Sequence, residues 1–281
     1  MPELPEVETM RRALAPWLTG ASLSDVQLHR ADLRRPFPER FARRLDGAVV
    51  SDIVRRGKYL LIHLDTGEIW VTHLGMTGHF DMAKNGEGGA DTKRAKYLHF
   101  QCTATTRTET FNLYFYDQRR FGFMLLIAED VLPSEDWYSE LGVEPLSENF
   151  NARYLLDRAA VRKSSLKALM MDQGVIAGLG NIYSCEALWQ SRLHPRHSAQ
   201  TLTEEQASTL VGGVKSVLTE ALCVGSASIG QRGEVGRDGY FAHQYKAYDR
   251  FGEPCPRDDG GLIRKVYDRG RSSFYCPVCQ I

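Results

Sequence analysis

The spacing of apolar residues along the chain changes twice. Near the start, Val7, Met10, Leu14, Trp17 and Leu18 recur at helical intervals and predict an amphipathic helix. Pro5 has a φ suited to its first turn, and Glu6 and Glu8 there complement the helix dipole. From about Val49 to Ile127 the pattern becomes strand-like. "KYLLIHL", "IWVTHLGM", "KYLHFQC", "TFNLYFYD" and "FGFMLLIA" are short, rich in β-branched and aromatic residues, and punctuated by Gly, Asp, Asn or Thr. Strands at this spacing predict an antiparallel sandwich or barrel. The stretch 83–94, "AKNGEGGADTKR", reads as a loop between them.

Helical spacing then returns in "NARYLLDRAAVRKSSLKALMMDQ", "NIYSCEALWQSRL" and "TEEQASTLVGGVKSVLTEALCVG", the last opened by a cap-like Thr203 and acidic residues. Residues 225–240 carry Gly, Ser, Arg and Asp and predict a loop. Beyond them aromatics and charges alternate around closely set cysteines, as in a small metal-stapled hairpin. The expectation is an α+β chain of two domains. A helix-led antiparallel β-sandwich takes residues 1–132, residues 133–150 form a linker, and a helical domain (151–240) carries a hairpin finger (241–281).

Composition narrows the class of protein. At 281 residues the chain can bury more than one core, and 43% hydrophobic with 25% charged residues is ordinary for a soluble globular protein. No uninterrupted apolar run approaches about 20 residues, so no membrane span is expected. The opening lacks the basic and apolar regions of a secretory signal, which points to a cytoplasmic protein. Lys and Arg balance Asp and Glu at 35 each. A nucleic-acid partner must therefore be held by local patches, such as the nine Lys/Arg against four Asp/Glu between Arg30 and Lys58. Six unevenly placed cysteines argue for a reduced compartment and a metal site over a disulfide framework.

Several short segments can carry chemistry. Removal of Met1 would turn Pro2 into a free secondary amine, far less protonated near neutrality than a lysine and able to attack an electrophilic sugar carbon. Glu3 beside it can move protons. Lys58 sits on a turn leading into a strand. In "THLGMTGHF", Gly75 and Gly78 bracket Met76 on a tight turn, and "YDQRRFGF" sets two arginines beside an aromatic. An apolar wedge with an arginine and an aromatic is how proteins open a base stack and fill the gap. In "DQGVIAGLGNIY", a glycine-rich turn leads to Asn181, placed to cap a helix whose N–H groups would seat a phosphate. Cys276-x-x-Cys279 supplies half of a tetrahedral zinc site and Cys255 begins the other half. Asp258 or Asp259 would complete it, Asp258 keeping a C-x-x-D spacing and Asp259 the hairpin length.

Together these segments resemble the formamidopyrimidine-DNA glycosylases, within the wider group that includes endonuclease VIII. The likeness is carried from residue 2 to residue 280 by "PELPEVET", "RRGKYLL", "HLGMTG", "DQRRFG", "LGVEPL", "GLGNIY", "EALW", "GYFAHQYKAYDRFGEPC" and "FYCPVCQ". "PELPE" is closer to the formamidopyrimidine branch than to the other. The resemblance implies a monomeric base-excision enzyme acting on damaged double-stranded DNA bent in a cleft between the domains, with β- and δ-elimination after base removal. It implies Pro2 as nucleophile, Glu3 as acid/base, Glu6 in support, and Lys58 on a phosphate near the lesion. Met76, Arg119 and Phe121 would fill the void, with Arg120 on phosphate. Lys167 and Asn181 of a helix–two-turn–helix motif, and Arg271 at the finger tip, would grip the backbone. Zn²⁺ would be held by Cys255, Asp258, Cys276 and Cys279.

Three departures from the family pattern stand out. The second finger cysteine is missing, the stretch after Lys93 has Arg94 or Lys96 in place of a His-bearing segment, and the 225–240 loop, expected over the flipped base, has its own composition. Rival readings keep the chemistry but change the lesion to oxidised pyrimidines or bulky alkylated or crosslinked bases. Another makes the protein a non-catalytic binder of damaged DNA.

Overall fold

The computed structural model describes residues 2–84, 90–227, 245–268 and 270–281. Much of the 225–240 loop, and residues 85–89 of the 83–94 loop, lie outside the described residues. The chain divides into two compact units, one built on residues up to Ser139 and the other on Glu140–Val224 with the described residues from 245.

The first unit begins with α1 (Leu4–Leu18), whose Val7, Met10, Leu14 and Leu18 are fully buried, as their spacing predicts. Glu3 belongs to this helix too. It is the N-cap of a reciprocal capping box, its side chain accepting the Glu6 N–H while Glu6 Oε2 accepts the Glu3 N–H at 2.7 Å. Behind the helix lie β1 (Ser22–Leu28), α2 (Phe41–Leu45), β2 (Val50–Arg56), β3 (Tyr59–Leu64), β4 (Glu68–His73), β5 (His79–Lys84), β6 (Leu98–Thr105), β7 (Thr110–Tyr116) and β8 (Phe123–Ala128). They form two antiparallel four-stranded sheets, ordered β1-β6-β7-β5 and β2-β3-β4-β8. The sandwich is filled by Trp70, Phe41, Phe80, Phe100 and Phe115, their rings meeting edge-on or tilted.

The topology has one consequence for function. The chain leaves the second sheet at β4 and enters the first at β5, and it returns from β7 to β8. Because β4 pairs with β8 and β5 with β7, the two crossing corners lie side by side. These corners are residues 74–78 and 117–122, the Gly75/Gly78 turn around Met76 and the segment that sets Arg119 and Arg120 beside Phe121.

The expected linker is not a free one. Leu132, Trp137 and Tyr138 cover the outer face of the second sheet through a 3₁₀ turn and α3 (Asp136–Ser139), and Phe150 is fully buried in the second unit. Apolar residues at 132, 137 and 150 each find a surface to bury, so the segment is divided between the two cores.

The second unit packs α4 (Ala152–Ala160), α5 (Leu166–Met171), α6 (Asn181–Gln190) and α7 (Glu204–Ala227) around Phe150, Met170, Ile176 and Leu210. The first helical stretch splits in two: α4 ends at Ala160, and Ser165 starts α5 with its hydroxyl capping the Ala168 N–H. Thr203 and Gln206 form a capping box at the start of α7. Within α7, Glu204–Gly225 is long and apolar enough to cross a membrane by length and composition, although its charged residues interrupt the apolar run. Its Ala207, Leu210, Val214 and Leu218 are instead fully buried in the helical core.

The finger hairpin is β9 (Arg264–Asp268) and β10 (Arg271–Tyr275), and the stretch leading to it is tied to α6 by Glu186. The buried carboxylate of Glu186 accepts the backbone N–H groups of Lys246, Ala247 and Tyr248 at 2.7–2.9 Å. Glu186→Ala would strand those donors and is expected to cost about 3 kcal/mol, read as a lowered midpoint in urea unfolding.

Candidate active site and DNA interface

Pro2 is half-buried and precedes the first helical residue, while the Glu3 side chain is fully enclosed. Lys58 stands on the two-residue turn joining β2 to β3, where Gly57 adopts φ 56. An ion-pair chain joins these two features. Glu8 accepts Arg11 in bidentate fashion at 2.9 and 3.0 Å and Arg12 at 2.9 Å, and Arg55 reaches both Glu8 (3.3 Å) and the Gly57 carbonyl (3.1 Å). Burial alone would raise the Glu8 pKa, but the arginines outweigh it and hold the carboxyl below its ordinary value. Arg55 thereby braces, from α1, the turn that carries Lys58.

The wedge is built at the two corners. Gly75 has φ +63, and a side chain there would meet the Gly122 nitrogen at 2.3 Å; one at Gly122 would meet the His73 carbonyl at 2.8 Å. Only glycine lets the corners touch backbone to backbone. Asp117, fully buried, locks them further. Its carboxylate accepts the Thr77 hydroxyl, the Arg119 N–H at 3.3 Å and the Gly122 N–H at 2.8 Å, while its carbonyl meets His99 Nε2 at 2.8 Å. Above this base Gln118, Arg119, Arg120 and Phe121 are exposed, the Arg119 guanidinium lies 4.7 Å from the Phe121 ring centre, and Met76 is half-buried beside them. Asp117, Thr77, Glu8 and Arg55 were missed in the sequence. An aspartate leading into a turn is the one signal that could have flagged Asp117.

Of the two cations that follow Lys93, Arg94 is spoken for. It pairs with Asp81 at 2.9 Å and with Asp91, meets His79 Nε2 and stacks on Tyr116. Lys96 is exposed over the Tyr97 ring.

In the second unit Lys167 is only 4% exposed, and its ammonium donates to Asn181 Oδ1, the Ser272 carbonyl and Ser273 Oγ at 2.7–2.8 Å. It is a crosslink between α5, the start of α6 and the finger. Asn181 is the first residue of α6, the N-cap being Gly180, so its side chain orients the lysine instead of capping. Arg271 is exposed at the start of β10, and an open hollow beside it is lined by Lys167, Met171, Asp268 and Ser273.

The finger corrects one residue of the expected metal set. Asp259, and not Asp258, joins Cys255, Cys276 and Cys279, with one ligand atom from each within 4.8 Å of the others. The Asp258 N–H closes a turn onto the Cys255 carbonyl and Asp258 itself is left-handed at φ 52, which carries its exposed side chain away and swings the next residue inward. The Gly261 N–H then holds Asp259 Oδ1 at 2.8 Å and is the chief reason its carboxyl is held down to about 2. A side chain at Gly261 would strike Cys276 Sγ at 2.5 Å. Tetrahedral zinc needs S···S edges of roughly 3.8 Å and S···O edges of roughly 3.5 Å. Cys255 and Cys279 sulfurs are 3.9 Å apart, and the Asp259 oxygens lie 3.4 and 3.5 Å from Cys276 Sγ. The donor set fits the ion.

Residues 1–124 match the formamidopyrimidine-DNA glycosylase N-terminal domain, and residues 141–232 match the H2TH domain of the same enzymes. The chain belongs to the formamidopyrimidine-DNA glycosylase family. It is 44% identical to the formamidopyrimidine-DNA glycosylase of Caulobacter vibrioides and 43% identical to that of Bartonella tribocorum, each over the full length of both chains. Among solved structures, it is similar to Lactococcus lactis formamidopyrimidine-DNA glycosylase bound non-covalently to DNA containing an AP site (TM-score 0.85, 29% identity, 99% of both chains). It is equally similar to MutM in complex with DNA containing carbocyclic 8-oxoguanine (TM-score 0.85, 29% identity, 99% of both chains). The helix–two-turn–helix expected from the sequence is the domain matched over 141–232.

His73 adds a pH dependence to the wedge. Its Nδ1 accepts the Gly75 N–H at 3.0 Å and its ring stacks on Phe123. Burial first, and then Lys58, Arg34 and Arg35, push its pKa down to about 4. The folded protein therefore keeps His73 neutral while the unfolded chain takes up a proton below about 6.5, so this contribution is complete above that pH and is lost as pH falls to about 4. The loss amounts to at most about 3 kcal/mol. Urea unfolding at pH 7.5 and pH 5 should show a steeper decline for the parent protein than for His73→Phe, which stacks but neither accepts the bond nor titrates.

Proposed function

We propose that this chain is a bifunctional DNA glycosylase and AP lyase of base excision repair that removes oxidised purines through a covalent intermediate at Pro2. The observation that carries the reading is the start of α1, where Pro2 directly precedes an enclosed Glu3 held in a capping box. Such a box fixes the first turn, so an amine one residue earlier is presented by a rigid element.

In the reaction, the unprotonated Pro2 nitrogen bonds to C1′ and the C1′–base bond breaks, the base leaving with a proton. Glu3 protonates O4′ as the sugar ring opens, and the amine, having lost its proton, becomes an iminium. Removal of a C2′ proton then expels the 3′ phosphate, a second elimination expels the 5′ phosphate, and water releases the sugar fragment from Pro2. Glu6 keeps Glu3 oriented through the capping box. Lys58 faces the phosphate beside the lesion. Met76, Arg119 and Phe121 occupy the space left by the flipped nucleotide, a role supported by their shared position on the locked corners. Arg120, Lys96, Asn181 and Arg271 meet backbone phosphates, with Lys167 positioning Asn181 and the finger. In this reading Cys255, Asp259, Cys276 and Cys279 hold Zn²⁺, which crosslinks the base of the hairpin that carries Arg271. Support for the lesion class comes from similar proteins seen with 8-oxoguanine and Fapy-dG in DNA, and from "PELPE" in the sequence.

Borohydride trapping on abasic-site DNA tests the mechanism, with intact mass reporting whether Met1 has been removed. Pro2→Gly should lower the trapping rate at least about 100-fold while affinity for the same DNA changes less than about threefold. Equal loss of trapping and binding would assign Pro2 to folding or binding. On a lesion panel, 8-oxoguanine and formamidopyrimidine substrates should be cut faster than oxidised pyrimidines or bulky alkylated bases.

A further inference from the structure

We infer that Arg257 is the positioning cation of the finger's metal knuckle, offsetting part of the charge of its donor set and fixing that set against α6. The inference rests on the zinc reading given above.

Three thiolates and a carboxylate bring four negative charges, of which a divalent ion neutralises two. Arg257 Nη1 lies 3.1 Å from Cys279 Sγ and donates to it. The same guanidinium donates from Nη2 to the Gln190 carbonyl at the end of α6, also at 3.1 Å. Its carbon sits 3.8 Å from the ring centre of Trp189, a side chain only 7% exposed. One planar group thus bonds a ligand sulfur, a helix carbonyl and an indole face at once. A lysine ammonium has neither the fork nor the flat face to do so.

Its placement follows from the extra residue in this knuckle. The stretch from Cys255 to Asp259 turns through left-handed Asp258, which sends Asp259 toward the sulfurs while Arg257, two residues earlier, reaches α6. A carboxylate is a harder donor than thiolate and holds zinc less firmly, so the retention of the ion depends more on its surroundings. Gln280 secures the opposite side, its side chain accepting the Cys276 N–H at 2.8 Å and donating to the Leu193 carbonyl at 2.9 Å. Among the described residues, no other cationic side chain hydrogen-bonds to the sulfur atoms of this cluster.

The test uses the full-length, zinc-loaded protein with Arg257→Met and Arg257→Lys. Zinc per chain, the rate of zinc transfer to a chromophoric chelator, and the thiolate-to-metal charge-transfer band of the Co²⁺-substituted protein are measured. The parent should hold one zinc per chain. Arg257→Met should release it at least about tenfold faster and shift the cobalt band, because the sulfur loses its donor. Arg257→Lys should fall closer to the Met variant than to the parent, and it carries the test if Arg257→Met does not fold. Unchanged release and an unchanged band in both variants would overturn the role of Arg257 and leave the zinc site standing. Absence of zinc from the parent would overturn the metal reading itself, and the inference with it.

Discussion

Everything proposed for the wedge depends on a constraint of chain path. The polypeptide crosses between the two sheets at β4–β5 and again at β7–β8, and the strand pairings force both crossings to the same place. Two corners in one place must either repel or merge. They merge because Gly75 and Gly122 lack side chains and because one buried carboxylate, Asp117, bonds to both. The side chains of Arg119, Arg120 and Phe121 are exposed, while the backbone N–H groups of Arg119 and Gly122 beneath them are held by Asp117. Precision of this sort is what insertion into a base stack requires, since the unstacking cost is repaid only if the filling groups arrive together.

The proposed catalytic end follows a similar logic with different materials. Glu8 lies on the same helix that presents Pro2 and Glu3, and Arg55 connects it to the carbonyl of the turn that presents Lys58. The proposed nucleophile precedes α1 and the proposed phosphate contact sits on the β2–β3 turn, and the Glu8–Arg55 ion pair links the two elements. Partly buried pairs of this kind contribute less to net stability than their number suggests, because desolvation offsets attraction. Their value lies in geometry.

Much of this was legible in the sequence where the residue type carries its own reason. The helical period of α1, the strands of the sandwich, the turn bracketed by Gly75 and Gly78 and the C-x-x-C of the finger were all visible, because periodicity, glycine and thiol spacing are local signals. Other features were not. Asp117 looks like any polar residue beside a turn, and its three acceptor bonds exist only after β7 and β8 have paired in different sheets. Lys167 and Asn181 were expected at phosphates singly, but the lysine is buried and bonded to Asn181, a contact that depends on how α5, α6 and β10 pack. The choice between Asp258 and Asp259 turned on one left-handed residue, which spacing cannot reveal. The segment 133–150 read as linker because its Pro, Ser and Glu residues mask the apolar anchors Trp137, Tyr138 and Phe150.

The enclosure of Lys167 reaches into solution behaviour. An ammonium whose donors already serve Asn181, Ser272 and Ser273 has little water or counterion around it to give up. Binding a polyanion releases ions from the cations that were solvated beforehand, and the steepness of affinity against salt counts those cations alone. In the proposed reading the steepness is set by exposed cations such as Arg120, Arg271 and Lys96, while the enclosed Lys167 adds charge without adding to the slope. Salt would then loosen the outer grip and leave the scaffold beneath it untouched.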